Sequence, residues 1–332
     1  MGLLMKQVEG KYYEKLPGNR VRCHLCPAEC AISPGRLGIC RLRKNYDGVL
    51  IAEAYGQLVS LALDPIEKKP LYHFKPGRPI LSTGANGCNF RCPFCQNWTI
   101  SQDQVPTEYY SPEKLVSISG RGGSIGIAFT YTEPLVWFEY VYDCARLLKE
   151  QGKAVVLVSN GYIAEQPARE LLPMVDAANI DLKSASPEFY KKVCMGNLDD
   201  VVRSINLALE YGVKVELTNL IIPKGNDSEK DLKDIVDLVA GIDPLIPYHI
   251  SRYFPHYKYR QPATSVETLE KAVTIARQKL AYVYPGNYIS ESDTKCPGCG
   301  LVLIKRSGFE AELPHGRITS CPGCGRNVDV VW

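Results

Sequence analysis

From Ile80 to about Ser290, apolar runs rich in β-formers alternate with segments whose apolar residues recur at helical spacing. The runs are PILST, SIGIAFT, KAVVLVS, AANIDLK, KVELTNLII and YHISRYF. Between them, PLVWFEYVYDCARLLKE puts Leu135, Phe138, Val141, Ala145 and Leu148 on one helical face. LDDVVRSINLALEYG and EKDLKDIVDLVAG behave likewise, each closing on a glycine. Six strands alternating with helices predict an α/β fold with a parallel sheet and right-handed crossovers. Polar residues gather at the strand ends: Glu133, Asn160, Asp181 with Lys183, Thr218 and His249. In a barrel built this way, ligands sit at the carboxyl ends of the strands. The alternation fits a partial (β/α)6 barrel or an open doubly wound sheet equally well.

The flanks break this rhythm and carry most of the thirteen cysteines. The expected division is an N-terminal module and connector at 1–76, the alternating unit at 77–290 and a C-terminal module at 291–332. Eleven cysteines fall in three groups: Cys23, Cys26, Cys30 and Cys40; then Cys88, Cys92 and Cys95; then Cys296, Cys299, Cys321 and Cys324. A chain of 332 residues buries an ample core without staples, so the grouping reads as metal chemistry in a reducing compartment. A net charge of +3 gives no argument for nucleic acid, no apolar run reaches the roughly 18 residues of a membrane span, and the start lacks a signal-peptide pattern. A cytoplasmic protein is expected.

CPGCG at 296–300 and CPGCG at 321–325 are matched knuckles separated by 21 residues between Cys299 and Cys321. Four thiolates close a tetrahedral shell, so a structural zinc ribbon is expected there. CHLCPAEC followed by GRLGIC supplies four more, for zinc or an auxiliary iron–sulfur cluster, with zinc favoured. The central group, GCNFRCPFCQNW, offers only three. A cubane [4Fe–4S] cluster takes one cysteine per iron, so three cysteines leave one iron open. This loop follows the first strand of the alternating unit, and Phe94 stands beside the third cysteine.

C-x3-C-x2-C after a first strand, with Phe94 before the last cysteine, resembles the radical S-adenosylmethionine superfamily. That resemblance implies a [4Fe–4S] cluster on Cys88, Cys92 and Cys95 whose open iron binds S-adenosylmethionine. It also implies reductive cleavage to a 5′-deoxyadenosyl radical that abstracts a hydrogen atom, with a low-potential flavodoxin or ferredoxin as electron donor. IDLKS, NLIIPKGND and PYH are similar, in order, to segments of glycyl-radical-enzyme activases such as the pyruvate formate-lyase activating enzyme. By that likeness Asp181, Lys183 and His249 hold the methionine end of the cosubstrate, Asn160 lies near its ribose, and Phe94, Glu133 and Thr218 complete the site. Tyr131-Thr132-Glu133-Pro134 stands where those activases have Gly-Gly-Glu-Pro, and Thr218 replaces an arginine. Nearly end to end, with CHLCPAEC, DPIEKKPLYHF, GCNFRCPFCQNW, YTEP and the CPGCG ribbon, the chain resembles the AmmeMemoRadiSam system radical SAM enzymes.

Three functions follow as expectations. The first is hydrogen abstraction from a protein or other macromolecule, which would cover the site and exclude water. The second is a radical reaction on a small metabolite. The third is a zinc-ribbon binding protein with a non-catalytic metal at the central cysteines. DPIEKKPLYHF, with Asp64, Glu67, Lys68, Lys69 and His73, reads as a solvated connector. In SRYFPHYKYR, Arg252, Tyr253, His256 and Tyr257 are either a partner surface or a structural loop. Cys194 and Cys144 read as plain thiols.

Overall fold

The structure is a computed structural model that describes residues 7–288 and 292–332. Its centre is one eight-stranded sheet. The strands are β1 (Ser60–Pro65), β2 (Pro79–Gly84), β3 (Gly126–Phe129), β4 (Ala154–Ser159), β5 (Ala177–Asp181), β6 (Lys214–Ile221), β7 (Tyr248–Arg252) and β8 (Val283–Gly286). They lie in chain order across the sheet, every pair from β2 to β8 parallel, with β1 antiparallel against β2 at one edge. β1 and β8 do not meet, so this is a partial barrel with two edges.

Six helices form the crossovers: α1 (Pro112–Ser117), α2 (Phe138–Glu150), α3 (Glu165–Leu171), α4 (Leu198–Glu210), α5 (Glu229–Ile242) and α6 (Val266–Ala276). Their starts are written locally. Ser111, Asn197, Ser228 and Ser265 each accept a hydrogen bond from a backbone N–H of the first turn. The buried stripe of α2, Val141, Ala145 and Leu148, is fully enclosed, as the spacing requires.

Beyond the six expected strands, β8 adds a seventh parallel one. It is four residues long and ends in Pro285 and Gly286, so its strand signal is faint. The ribbon strands Thr294–Lys295, Val302–Ser307 and Glu310–Glu312 form a separate small sheet.

The connector is corrected most. Asp64, Glu67, Lys69 and His73 are buried, not solvated. Asp64 receives Lys68 Nζ at 2.8 Å, Lys69 Nζ at 2.7 Å and the Tyr131 hydroxyl at 2.9 Å. Burial opposes the charge on Asp64, yet the two ammonium groups hold its carboxyl well below the usual range. The backbone N–H of His73 donates to Glu216 on β6 at 2.6 Å, while its ring lies 2.7 Å from the Tyr284 hydroxyl and 2.6 Å from the carbonyl of Asp329. Arg306 of the ribbon donates to the carbonyl of Tyr72 at 2.7 Å. The connector thus pins the ribbon to the open end of the sheet.

Candidate active site at the strand ends

β2 ends at Gly84, where an added Cβ would stand 2.3 Å from the carbonyl oxygen of Thr130. That close approach of two strand ends launches the cysteine loop. At Gly87 the backbone is left-handed, with φ 97°, and a Cβ would meet the carbonyl oxygen of Cys40 at 2.3 Å. Both the turn and the contact require glycine. Cys88 Sγ then accepts from the N–H of Phe90 at 3.3 Å and from Asn160 Nδ2 at 3.6 Å, and Cys95 Sγ lies 3.2 Å from Ser101 Oγ. Cys92 is buried with Cys194 beside it, and the N–H of Arg91 donates to the carbonyl of Cys194 at 2.9 Å.

Cys88, Cys92 and Cys95 all line one cavity of about 360 Å³, together with Phe94, Glu133, Asn160, Asp181, Lys183 and Thr218. The structure therefore brings together three expected ligands and six of the seven expected cosubstrate residues. The seventh, His249, lies nearby on a larger cavity of about 1080 Å³, and its Nε2 is 2.7 Å from Glu216 Oε2. Asp181 and Thr132 line both cavities, so the two adjoin.

Several of these residues also make hydrogen bonds within the protein. Glu133 is 1% exposed and receives three donors: the N–H of Leu135 at 2.9 Å, Ser159 Oγ at 2.8 Å and the N–H of Asn160 at 2.7 Å. Burial pushes its carboxyl up to about 7 despite these bonds. Glu133 thus ties the end of β3 to the end of β4. Asn160 is committed within the protein: its amide donates to Asn89 Oδ1 at 2.9 Å and its carbonyl oxygen accepts from the N–H of Tyr162 at 2.8 Å. Thr218 donates to Asn179 Oδ1 at 2.8 Å.

Lys183 Nζ lies 3.0 Å from Asp181 Oδ2. Burial works against the ammonium of Lys183, but Asp181 and then Cys92 outweigh it and keep the group charged. Tyr131 takes φ 70°, the left-handed conformation that a glycine would adopt freely, and its ring and hydroxyl anchor it on Lys69 and Asp64. This is how YTEP makes its turn without glycines.

Sequence reasoning missed Asn89, Lys68, Lys69, Tyr131 and Arg306 as wall or frame residues. Asn89 had a signal in its place beside Cys88; the connector residues had none. In the loop after β7, Tyr253 is fully buried and donates to the carbonyl of Tyr259, whereas Tyr257 stacks on Trp98 at 5.2 Å. The N–H of Lys258 donates to the carbonyl of Pro93 at 2.9 Å, so this loop braces the cysteine loop.

At the C-terminus, Cys296, Cys299, Cys321 and Cys324 hold their sulfurs all within 4.8 Å of one another. Two pairs stand at 3.5 and 3.6 Å, close to the edge of about 3.8 Å that a tetrahedron with metal–sulfur bonds of about 2.3 Å would have. The group could hold a metal ion. The small core around it, with Leu303 and Ile304, cannot hold three short strands alone. Stripping the metal with a strong chelator is expected to raise amide hydrogen exchange across 294–330 while leaving β4–β6 protected. Unchanged exchange in the ribbon would show that the metal contributes nothing to its stability.

A family model for the Radical SAM superfamily matches residues 83–239. An uncharacterized protein of Methanocaldococcus jannaschii is 44% identical over 97% of this chain and 99% of its own length. A probable GTP 3′,8-cyclase of Methanosarcina acetivorans is 32% identical, covering 67% of this chain and 72% of that one. The pyruvate formate-lyase-activating enzyme of Clostridium pasteurianum is 27% identical, over 49% of this chain and 72% of that one. Among solved structures, a radical SAM methyltransferase from Sphaerobacter thermophilus shares the fold, with TM-score 0.50, 17% identity and coverage of 65% and 68% of the two chains.

Proposed function

The chain belongs to the Radical SAM superfamily and is an enzyme of that class, and we propose that it abstracts a hydrogen atom from a protein or other macromolecule, in the manner of an activating enzyme. The residues fit the cofactors of the family. Three cysteines on one wall match a [4Fe–4S] cluster with an open iron, and the neighbouring Asp181 and Lys183 offer a carboxylate and an ammonium to the amino acid end of S-adenosylmethionine. When bound, the two cofactors supply a 5′-deoxyadenosyl radical, an oxidant for unactivated C–H bonds.

The rest falls to the chain itself. Lys183 and Asp181 exchange their mutual ion pair for the carboxylate and ammonium of the cosubstrate, and Phe94, 4% exposed, gives that cavity an apolar wall. Glu133 and Asn160 hold the cysteine loop against β3 and β4. The observation that carries the macromolecular reading is the large adjoining cavity, which runs across the strand ends from Thr130 after β3 to Gly286 of β8. Its volume of about 1080 Å³ exceeds that of an ordinary small-molecule pocket, and Phe309, half exposed, stands on its rim. The relationship to an activating enzyme supports the same reading, and the set of motifs supports a place among the AmmeMemoRadiSam system enzymes. The C-terminal tetrad is proposed to hold zinc, from its sulfur spacing. The electron donor is proposed to be a low-potential flavodoxin or ferredoxin.

A second reading, a small anionic metabolite, is favoured by Lys68, Lys69, Arg252 and Arg306 on the wall of the same cavity. The two separate in one experiment. Cell extract is divided by dialysis, and each fraction is tested for stimulation of 5′-deoxyadenosine formation. Stimulation by the retained macromolecules alone supports the activase-like reading, and stimulation by the diffusible fraction alone overturns it in favour of the metabolite.

Replacing Lys183 by Ala removes the ammonium paired with Asp181. S-adenosylmethionine affinity is expected to fall about 10- to 100-fold, because a charge-assisted contact is worth about 1.5–3 kcal/mol. Equilibrium dialysis against the reconstituted protein would measure it; a change below about threefold would remove Lys183 from the cosubstrate site.

A further inference from the structure

Cys23, Cys26, Cys30 and Cys40 form the one cysteine group that the function above leaves unused. They are not idle thiols. Cys23, Cys26 and Cys40 are at most 7% exposed, and the sulfurs of Cys23 and Cys30 accept hydrogen bonds. Arg43 Nη1 donates to Cys23 at 3.3 Å and the N–H of Ile39 to Cys30 at 3.4 Å. The N–H of Cys23 donates to the carbonyl of Cys30 at 3.0 Å, and Cys23, Cys26 and Cys40 share one buried cluster against which Cys30 packs.

The spacing of the sulfurs distinguishes metals. In a ZnS4 site the sulfurs stand about 3.8 Å apart, from a Zn–S bond of about 2.3 Å. Among the described residues, the C-terminal tetrad is the one group whose ligand atoms all fall within 4.8 Å; no three of the N-terminal cysteines do. Cys88, Cys92 and Cys95, which fit a cubane, share this wider spread. A cubane holds each thiolate on a different iron and so spaces its ligands beyond a zinc tetrahedron.

The position is equally specific. The N-terminal group lies directly against the catalytic loop. The carbonyl of Cys40 occupies the space that a side chain at Gly87 would take. Arg91 donates through Nη2 to the carbonyl of Ile39 and through Nη1 to the carbonyl of Cys88 at 2.8 Å. Asn89 Oδ1 is 3.9 Å from Cys88 Sγ.

We propose that Cys23, Cys26, Cys30 and Cys40 hold a second iron–sulfur cluster, a four-thiolate cubane built against the loop that carries Cys88. This replaces zinc, which the sequence favoured at these positions. Closed by four thiolates, the cubane has no open iron for a cosubstrate. One-electron transfer is left as its chemistry: an electron from a low-potential protein donor enters and leaves, with no bond made or broken and no proton moved.

The test uses the full chain carrying Cys88→Ser, Cys92→Ser and Cys95→Ser together, reconstituted anaerobically with iron and sulfide in the presence of zinc. About four irons and four sulfides per chain are expected to remain, with about one zinc and an electron paramagnetic resonance signal after reduction. No iron or sulfide, with about two zincs per chain, would overturn the proposal. If that variant does not fold, Cys23→Ser with Cys30→Ser in the otherwise native chain serves instead. Iron falling from about eight to about four per chain supports the cluster. Iron unchanged while zinc falls from about two to about one overturns it. These counts do not depend on substrate or on S-adenosylmethionine cleavage, so this proposal and the one above fail separately.

Discussion

Replacing Cys92 by Ala is expected to abolish 5′-deoxyadenosine formation, lowering it at least about 100-fold, since loss of a ligand exceeds the 10- to 100-fold typical of its outer partners. Cys92 is buried at the centre of its loop, between Cys88, held by Phe90 and Asn160, and Cys95, held by Ser101. Two thiolates cannot hold a cubane with one open iron in a fixed place. The same variant should keep its fold, because the loop is also fixed by Gly87 on Cys40, by Arg91 on the carbonyls of Ile39 and Cys88, and by Lys258 on Pro93. Iron is therefore expected to fall by about four per chain with an unchanged circular dichroism spectrum. Residual activity above a tenth of native would show that the radical arises elsewhere.

The largest effect on stability is expected far from that loop, at Glu139. Arg43, 1% exposed, forms an ion pair with Glu139, itself 6% exposed, at the junction between the N-terminal module and α2. Glu139 also accepts from the N–H of Lys11 at 2.7 Å. Replacing Glu139 by Ala leaves the guanidinium buried with only Cys23 as a hydrogen-bond partner among the described residues, a loss of about 3–5 kcal/mol. The expectation is a matching fall in urea stability of the metal-loaded protein, with Glu139→Gln losing less because its amide oxygen still accepts. A loss under about 1 kcal/mol for Glu139→Ala would mean that water reaches Arg43 and that this junction is loose.

What was legible in the sequence follows from the range of the interactions involved. Six strands and their helices are set by periodicity and by caps a few residues away, and Ser111, Ser228 and Ser265 act as their positions suggest. That Cys88, Cys92, Cys95 and Glu133 share one cavity was visible because loop spacing and strand-end position are local properties. The connector was not. Its acidic and basic residues look solvated in isolation, yet the partner of the His73 backbone is Glu216, 143 positions away. The Arg43–Glu139 pair is separated by 96. β8 was missed because Pro285 and Gly286 mask a short run that becomes a strand only beside β7.

The central claim is radical chemistry at Cys88, Cys92 and Cys95. It is tested most directly by reconstituting the native chain anaerobically with iron and sulfide, reducing it, adding S-adenosylmethionine and quantifying 5′-deoxyadenosine. The account expects product that depends on both reductant and cluster. A protein that binds zinc without iron at the central cysteines, and forms no 5′-deoxyadenosine, would contradict it.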